Sequence, residues 1–359
     1  MVRVLFIVAP FKQRMIEKMV EHFSPTTLSK IFTPKYRSPT PKSKVMSELS
    51  GDKTILSVVR EFEPDIVYSD NALFAAQFQL NTMLSGLHIP HIVHLRGDWW
   101  REFWAWWSVA RWPAHIIGMQ HYLYQSVSLL TARQVTPICK WLDAVVRHYM
   151  PWKRTSVVYQ GVDPSQFYQD DQPYPVDKPA VAIVQNHTIL PKVNGLLDLF
   201  PTVAKLSHIN FYITEGERFD PGYLPLVKER YAGLKNVHFV PNINGPDAVR
   251  RLLSSADCYV LASGLDCCPT TVLEASLMRR PVVASRVGGI PETIQEGITG
   301  WTVDNGDEGA WIQRITSLVE DPSLCRRVGD NGRKWVEDNF SWTTIAKQVE
   351  QLILFETVR

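Results

Sequence analysis

Short apolar runs bounded by turn residues alternate with amphipathic stretches along the whole chain, the sequence form of parallel sheets crossed by helices. In the first half the runs are Val4–Val8, Ile66–Tyr68, His91–Leu95, Gln134–Thr136 and Thr155–Val158. In the second half they are Val181–Val184, Asn210–Ile213, Val237–Val240, Cys258–Leu261 and Pro281–Ala284. The pattern predicts two doubly wound α/β domains, each with its own parallel sheet. Between them Tyr168–Pro179 is polar and proline-rich, which is linker composition. The expected organisation is an N-terminal domain over 1–168, a linker over 169–179 and a second domain over 180–340, with 341–359 as a C-terminal helix. Open α/β sheets bind ligands beyond the carboxyl ends of their strands, so the site is expected in a central cleft that the two domains face.

Two segments break the alternation. Ser24 to Lys44 holds Pro25, Pro34, Pro39 and Pro41 among Ser, Thr and basic residues and reads as a loop. Trp99 to Trp112 packs six tryptophans around Arg101, Phe103 and Arg111. Such a cluster reads as core and acceptor-groove wall, as an aromatic platform for a sugar or lipid, or as a membrane-docking helix.

A length of 359 residues agrees with two domains of about 100–200 residues each. With 45% hydrophobic and 21% charged residues, the composition excludes disordered, collagen-like and disulfide-scaffold classes. The net charge of +2 divides into +7 over residues 1–168 and −5 over the remainder, with much of the excess between Lys12 and Lys44. That face suits an anionic partner such as a phospholipid surface, or it is simply a solvated basic surface. Nothing reads a nucleic-acid groove, so no nucleic-acid partner is expected. The five cysteines are odd in number and lack metal-finger spacing, which fits reduced thiols in the cytoplasm. The run from Val4 to Pro10 is too short to span a bilayer, and no later window reaches the roughly 18 apolar residues required. A cytoplasmic protein, peripheral to the membrane at most, is the expectation.

The chemistry concentrates between Ala262 and Glu292: a strand end, a turn, a helix, a strand and a glycine turn. Asp266 precedes the predicted helix, Pro269 marks its start, Thr270 and Thr271 add hydroxyls, and Glu274 lies within it. A helix N-terminus attracts phosphate, while carboxylates accept hydrogen bonds from sugar hydroxyls. A diphosphate-linked sugar offers both kinds of group. Asp266 is also a residue type that caps helices well, and Cys267 and Cys268 read as small pocket-lining residues rather than nucleophiles.

These residues resemble the retaining glycosyltransferases of family 4, whose fold, GT-B, consists of two facing Rossmann-like domains. The acidic pair of that family matches Asp266 and Glu274, although Asp266 is one methylene shorter than the usual Glu. The segments Arg280–Ser285 and Gly288–Glu292 match as they stand, as do Gly161–Phe167, Asn236–Val240, Ser254–Leu261 and Phe340–Trp342. The resemblance implies that Glu274 binds the nucleotide ribose. It also implies that Asp266, with the backbone of Cys267, Cys268, Pro269, Thr270 and Thr271, holds the transferred sugar and its phosphate. Lys192 matches the lysine that contacts the diphosphate, and His187 stands where an arginine is usual. Gly216 with Glu217, and Asn242 with Ile243, are expected near the diphosphate or ribose and near the base. The last helix is expected to pack back on the first domain.

In the first domain, His94, Arg96 and Asp98 follow a strand at the expected cleft edge, and alternation does not choose between them. His94 and Asp98 are the catalytic candidates there, and Arg96, Trp99, Trp100 and Lys12 the acceptor candidates. The glycine-rich loop common after the first strand of relatives is missing, so Lys12 would have to substitute for its backbone donors. The resemblance implies transfer from a nucleotide-diphosphate sugar, a UDP- or GDP-sugar, with retention and without metal or cofactor. The acceptor would be a hydroxyl of a glycan, lipid-linked or small-molecule compound. The alternative is a degenerate nucleotide-sugar-binding subunit without turnover of its own.

Overall fold

Both halves of the alternation form all-parallel sheets. The computed structural model describes residues 1–9, 13–33, 55–70, 86, 88–107, 114–187, 189–216, 222–241, 243 and 245–358. Two compact units result: Met1–Gly161 together with Trp342–Arg359, and Val162–Ser341.

The first unit runs β1 (Val2–Ile7), α1 (Gln13–Val20), β2 (Thr27–Phe32), α2 (Ile55–Phe62), β3 (Ile66–Asp70), β4 (His91–Leu95), α3 (Trp99–Trp107), α4 (Ala114–Thr131), β5 (Gln134–Pro137) and α5 (Lys140–Tyr149). Its strand order is β2-β1-β3-β4-β5, a doubly wound order whose reversal point lies between β1 and β3. Alternate residues of β1 are buried on opposite faces. Val4, Phe6 and Val8 pack with Ile16 and Met19 of α1 and with Trp342, Ile345 and Val349 of the C-terminal helix Trp342–Val358. Leu5 and Ile7 pack with Val58 and Val59 of α2. Helices on both faces are why β1 reads as a continuous apolar run, and each such side chain contributes about 1.5–3 kcal/mol by burial. The C-terminal helix is further fixed by Glu356, which is fully buried and paired with Arg133 (3.0 Å) and Arg154 (2.7 Å). Removing either arginine would leave part of a buried charge uncompensated.

Two expectations for this unit need correction. Thr27–Phe32, inside the segment read as a loop, is β2, paired with β1 along its whole length. It is an edge strand with Leu28 46% exposed, so it lacks the buried apolar run that marks the inner strands. Thr155–Val158 does not form a regular strand. It runs beside β5, with the amides of Ser156 and Val158 donating to Val135 and Pro137 carbonyls, but forms only one bridge, Thr155 to Val135.

The second unit runs β6 (Ala180–Ile183), α6 (Leu190–Asp198), α7 (Phe200–Lys205), β7 (Asn210–Thr214), α8 (Leu224–Arg230), β8 (Val237–Val240), α9 (Gly245–Ser255), β9 (Cys258–Leu261), α10 (Thr270–Leu277), β10 (Val282–Ser285), β11 (Gly300–Val303), α11 (Glu308–Glu320) and α12 (Pro322–Phe340). The order β11-β10-β9-β6-β7-β8 is that of dinucleotide-binding Rossmann sheets, with the reversal between β6 and β9. β11 was not among the expected strands. Its four residues are all buried, and its first, Gly300, sits where a Cβ would lie 2.4 Å from the Val282 carbonyl.

The segment expected as a linker lies against the second unit. Asp170 N donates to Ser254 Oγ (3.0 Å), Tyr174 N to the Arg251 carbonyl (3.0 Å) and Asp177 N to Tyr212 Oη (2.6 Å). The division between units falls instead at Gly161–Val162 and Ser341–Trp342. The matched segments there have a packing reason: a Cβ on Gly161 would lie 2.2 Å from the Trp342 ring. Likewise Asn236 Nδ2 lies 3.1 Å from the carbonyls of Val203, Leu206 and Ile209, tying the turn before β8 to that after α7. Among the described residues, no helix is long and apolar enough to cross a membrane.

Candidate active site

The second unit concentrates polar side chains beside its strand reversal, where two neighbouring loops leave the sheet in opposite directions. After β6 come Gln185, Asn186 and His187, and then α6, whose first turn carries Lys192. After β9 come Ser263, Gly264, Leu265 and Asp266, and then α10. The two loops touch through glycines. A Cβ on Gly264 would lie 2.3 Å from the Pro191 carbonyl, and one on Gly195 would lie 2.5 Å from the Ser263 backbone. The contact brings the Lys192 ammonium to 3.5 Å from Asp266 Oδ2, with both side chains partly exposed. Asp266 Oδ1 accepts from the amide of Cys267 at 2.8 Å.

A third loop closes on the same residue. The Gly289 amide donates to the Asp266 carbonyl at 3.0 Å. Gly288, at φ +55°, approaches so closely that a Cβ would lie 2.0 Å from that oxygen. Glycine is required twice over there, for the positive φ and for the space. The matched segment Gly288–Glu292 is therefore a clamp on the backbone of Asp266.

The helix α10 begins at Thr270 with Pro269 as its N-cap, and no side chain caps it. Cys267, Cys268 and Pro269 are buried, Thr270 and Thr271 half-buried, and Glu274 half-buried in the helix. Tyr259, wholly buried in β9, hydrogen-bonds the Val184 carbonyl (3.0 Å) and Thr271 Oγ1 (2.8 Å). Burial drives its hydroxyl pKa up, and the charges of Glu274 and Asp266 push it further the same way. Both carboxylates thus act on one buried phenol. Gly216, at φ +58°, lies over the loop after β6, where a Cβ would be 3.0 Å from the Gln185 carbonyl. Ile243 is half-buried after β8, whereas Asn242 and Glu217 lie outside the described residues.

His187 does not have the form that a cation replacing arginine would need. It is 2% exposed, and its Nε2 hydrogen-bonds the Thr214 carbonyl at 2.8 Å. Burial lowers its pKa, outweighing the opposing effects of that carbonyl and of Glu215. The ring is therefore neutral at physiological pH, with Nε2 protonated and Nδ1 buried without a hydrogen-bond partner. Lys192 is left as the cation of this loop.

The candidates of the first unit lie on β4, on the turn after it and on α3. His94 is 3% exposed, its Nδ1 3.1 Å from Thr136 Oγ1, which in turn is 3.2 Å from Tyr68 Oη. His91 is buried against Ser69 Oγ at 2.7 Å, and burial lowers its pKa to about 3. Asp98 is 1% exposed at the start of α3, where Oδ1 accepts from the Arg101 amide at 3.2 Å and Oδ2 lies 3.3 Å from Arg101 Nε. That is a helix-capping carboxylate. Arg96 donates to Gln160 Oε1. In α3 the buried Phe103 packs 4.5 Å from Tyr122, Trp100 stacks on Tyr149 at 4.9 Å, and Trp104 is 57% exposed. Lys12 and Trp112 lie outside the described residues, as do the side chains of Trp99 and Trp106. Of the early basic stretch, Lys18 pairs with Glu21 and Lys30 with Glu61, while 34–44 is outside the described residues.

Residue-by-residue reading missed the supports of the site. Ser285 Oγ accepts from the Ser263 amide (2.9 Å) and donates to Asn305 Oδ1 (2.6 Å), while Asn305 Nδ2 returns to the Ser263 carbonyl (2.9 Å). Gln185 Nε2 donates to the Lys192 carbonyl at 2.8 Å. Only the serine ending Arg280–Ser285 carried any signal in the sequence.

Known proteins with the same architecture extend the picture to the whole chain. Sucrose-phosphate synthase from Thermosynechococcus elongatus superposes with a TM-score of 0.73 at 18% identity, covering 98% of both chains. Anabaena Alr3699/HepE, in complex with UDP, superposes with a TM-score of 0.69 at 15% identity, covering 98% of this chain and 99% of that one. These likenesses show the fold: two Rossmann-like parallel-sheet domains, the GT-B fold. In sequence, the chain is 38% identical over 98 residues to a GDP-mannose-dependent alpha-(1-6)-phosphatidylinositol monomannoside mannosyltransferase of Mycolicibacterium smegmatis, covering 27% of this chain and 26% of that protein. It spans about a quarter to a third of the length of the first curated relatives it matches. Residues 168–335, nearly all of the second unit, match the family model for glycosyl transferases group 1. The likeness to that family thus lies in the second unit.

Proposed function

We propose that the chain is a retaining, metal-independent glycosyltransferase of family 4 that takes its sugar from a nucleotide-diphosphate donor bound by the second unit. The observation that carries this reading is the meeting of Lys192 and Asp266 beside the β6/β9 reversal, with α10 and Glu274 directly following. A departing diphosphate needs a cation and N–H donors, which Lys192 and the uncapped first turn of α10 supply. Glu274 accepts hydrogen bonds from the ribose. Asp266 holds hydroxyls of the transferred sugar, its backbone fixed by the Gly288–Gly289 clamp. The leaving phosphate oxygen takes the proton of the acceptor hydroxyl, so no separate protein base is required. A UDP- or GDP-sugar is the donor class: the Mycolicibacterium smegmatis relative is GDP-mannose-dependent, and Alr3699/HepE is known in complex with UDP.

For the acceptor, the exposed Trp104 and Trp152, with Tyr149, Arg101 and Arg147 on the first unit, suit a glycan or the headgroup of a lipid-linked saccharide at a membrane surface. The test is donor hydrolysis or transfer by the purified chain with UDP- and GDP-sugars. Turnover that falls at least tenfold in Asp266→Ala supports the reading. Nucleotide binding without any turnover would favour a non-catalytic subunit instead.

A further inference from the structure

The second unit has a cavity of about 480 Å³ at the end of its sheet opposite the proposed donor site. Asp257, immediately before β9, and Arg280, just before β10, line it, so it opens at the amino ends of the strands. The helix α10 joins the two regions: Thr270 begins it beside Asp266, and Leu277 at its other end lines the cavity. The volume falls within the range of small-molecule sites.

The lining is cationic. Arg279, Arg280, Arg326 and Arg333 face two aspartates, and each aspartate is already engaged. Asp330 pairs with Arg279 at 2.7 Å, and Asp257 pairs with Lys178 at 2.5 Å while accepting from the Ala180 amide. Arg333 pairs with Glu337 and donates to the carbonyls of Phe167 and Leu277. Among the described residues Arg280 has only neutral acceptors, Gln169 Oε1 at 3.0 Å and the Ser254 carbonyl at 3.2 Å, and its Nε is buried without a hydrogen-bond partner. The exposed Arg326 makes no ion pair among the described residues.

Arg279, at φ +57°, closes α10: its amide donates to the Ser276 carbonyl and that of Arg280 to the Ala275 carbonyl, both at 2.9 Å, which fixes the two arginines at the cavity wall. The first turn of α12 borders the cavity through Pro322 and Cys325, its amides at Ser323 and Leu324 already capped by Asp321, so the charge available to a ligand is that of the arginines. Leu277, Met278, Leu318 and Val319 supply an apolar floor.

We infer that this cavity is a second ligand site, separate from the donor site, that takes a small phosphorylated anion between Arg280 and Arg326. Guanidinium groups bind phosphate oxygens through paired N–H donors, the apolar floor accommodates the carbon part of an ester, and the unpartnered Arg280 Nε gains an acceptor. The inference does not depend on the glycosyltransferase reading, since the donor site is the business of Lys192 and Glu274.

The test is calorimetric titration of the full chain with inorganic phosphate and glycerol 3-phosphate. Saturable binding is expected, weakened at least about fivefold in Arg326→Gln and in Arg280→Gln and retained within about twofold in Lys192→Gln. Arg326 is exposed, so its substitution leaves the fold intact and its result decides. A preference for glycerol 3-phosphate identifies an esterified ligand, and a preference for inorganic phosphate a free one. The absence of saturable binding, binding unchanged in Arg326→Gln, or binding lost in Lys192→Gln would each overturn the inference.

Discussion

Each unit has a charged turn after a strand, and the two turns differ in where they stand and in what they hold. In the first unit, Arg96 and Asp98 follow β4, one strand removed from the β1/β3 reversal, and Asp98 is buried with its Oδ1 capping α3. In the second, Asp266 follows β9 at the reversal itself, and its carboxylate meets a lysine while its backbone is gripped by glycines. Buried polar groups that satisfy one another brace a structure, whereas partly exposed groups of opposite charge held by a rigid backbone are available to a ligand. Topological position, rather than residue type, separates the two.

The sharpest way to break this comparison is to attack the clamp. Gly288→Ala forces a Cβ into the Asp266 carbonyl at a positive φ, and it should cost the second unit about 3 kcal/mol. Urea unfolding checks the value, and a change below the error of the fit would mean that the loop shifts freely.

Acidification probes the bracing of the first unit. The pKa of His91 is lowered in the fold, so its stabilisation is complete above its ordinary value of 6.5 and is lost as pH falls from there towards about 3. By pH 5 the loss should reach about 2 kcal/mol, and His91→Asn should reduce that dependence in urea titrations at both pH values. An equal pH dependence in the variant would place the acid sensitivity elsewhere.

Glu274→Ala should weaken nucleoside diphosphate binding about tenfold, or about 1.4 kcal/mol, in a calorimetric titration. Asp98→Ala should leave that affinity unchanged and instead lower stability by about 1 kcal/mol through loss of the α3 cap. The smallest effect expected is none: because His187 is already neutral, nucleotide affinity should stay level from pH 7 to 9. A steady decline over that range would show that bound diphosphate keeps the imidazole protonated.

Much of this was legible in the sequence. The inner strands were visible because helices cover both faces, which leaves uninterrupted apolar runs such as Cys258–Leu261. β2 was hidden because an edge strand keeps a mixed sequence, and β11 because four residues beginning with glycine make no run. Asp266, Glu274 and Lys192 were singled out through their motif spacing, and Lys192 does meet Asp266, whereas Asn305 and Gln185 act through loop contacts that no spacing encodes. His187 stood out as the departure from the usual arginine, but its burial did not. Its environment depends on Thr214 and on burial beneath the loops, neither of which a linear pattern displays.

The most direct test of the central claim is a titration with UDP and GDP of the wild-type chain and of the Glu274→Ala, Lys192→Gln and Asp98→Ala variants. The account predicts that one nucleotide binds the wild type and Asp98→Ala equally, and binds the Glu274 and Lys192 variants at least tenfold more weakly. Binding lost in Asp98→Ala but kept in Glu274→Ala and Lys192→Gln would contradict it.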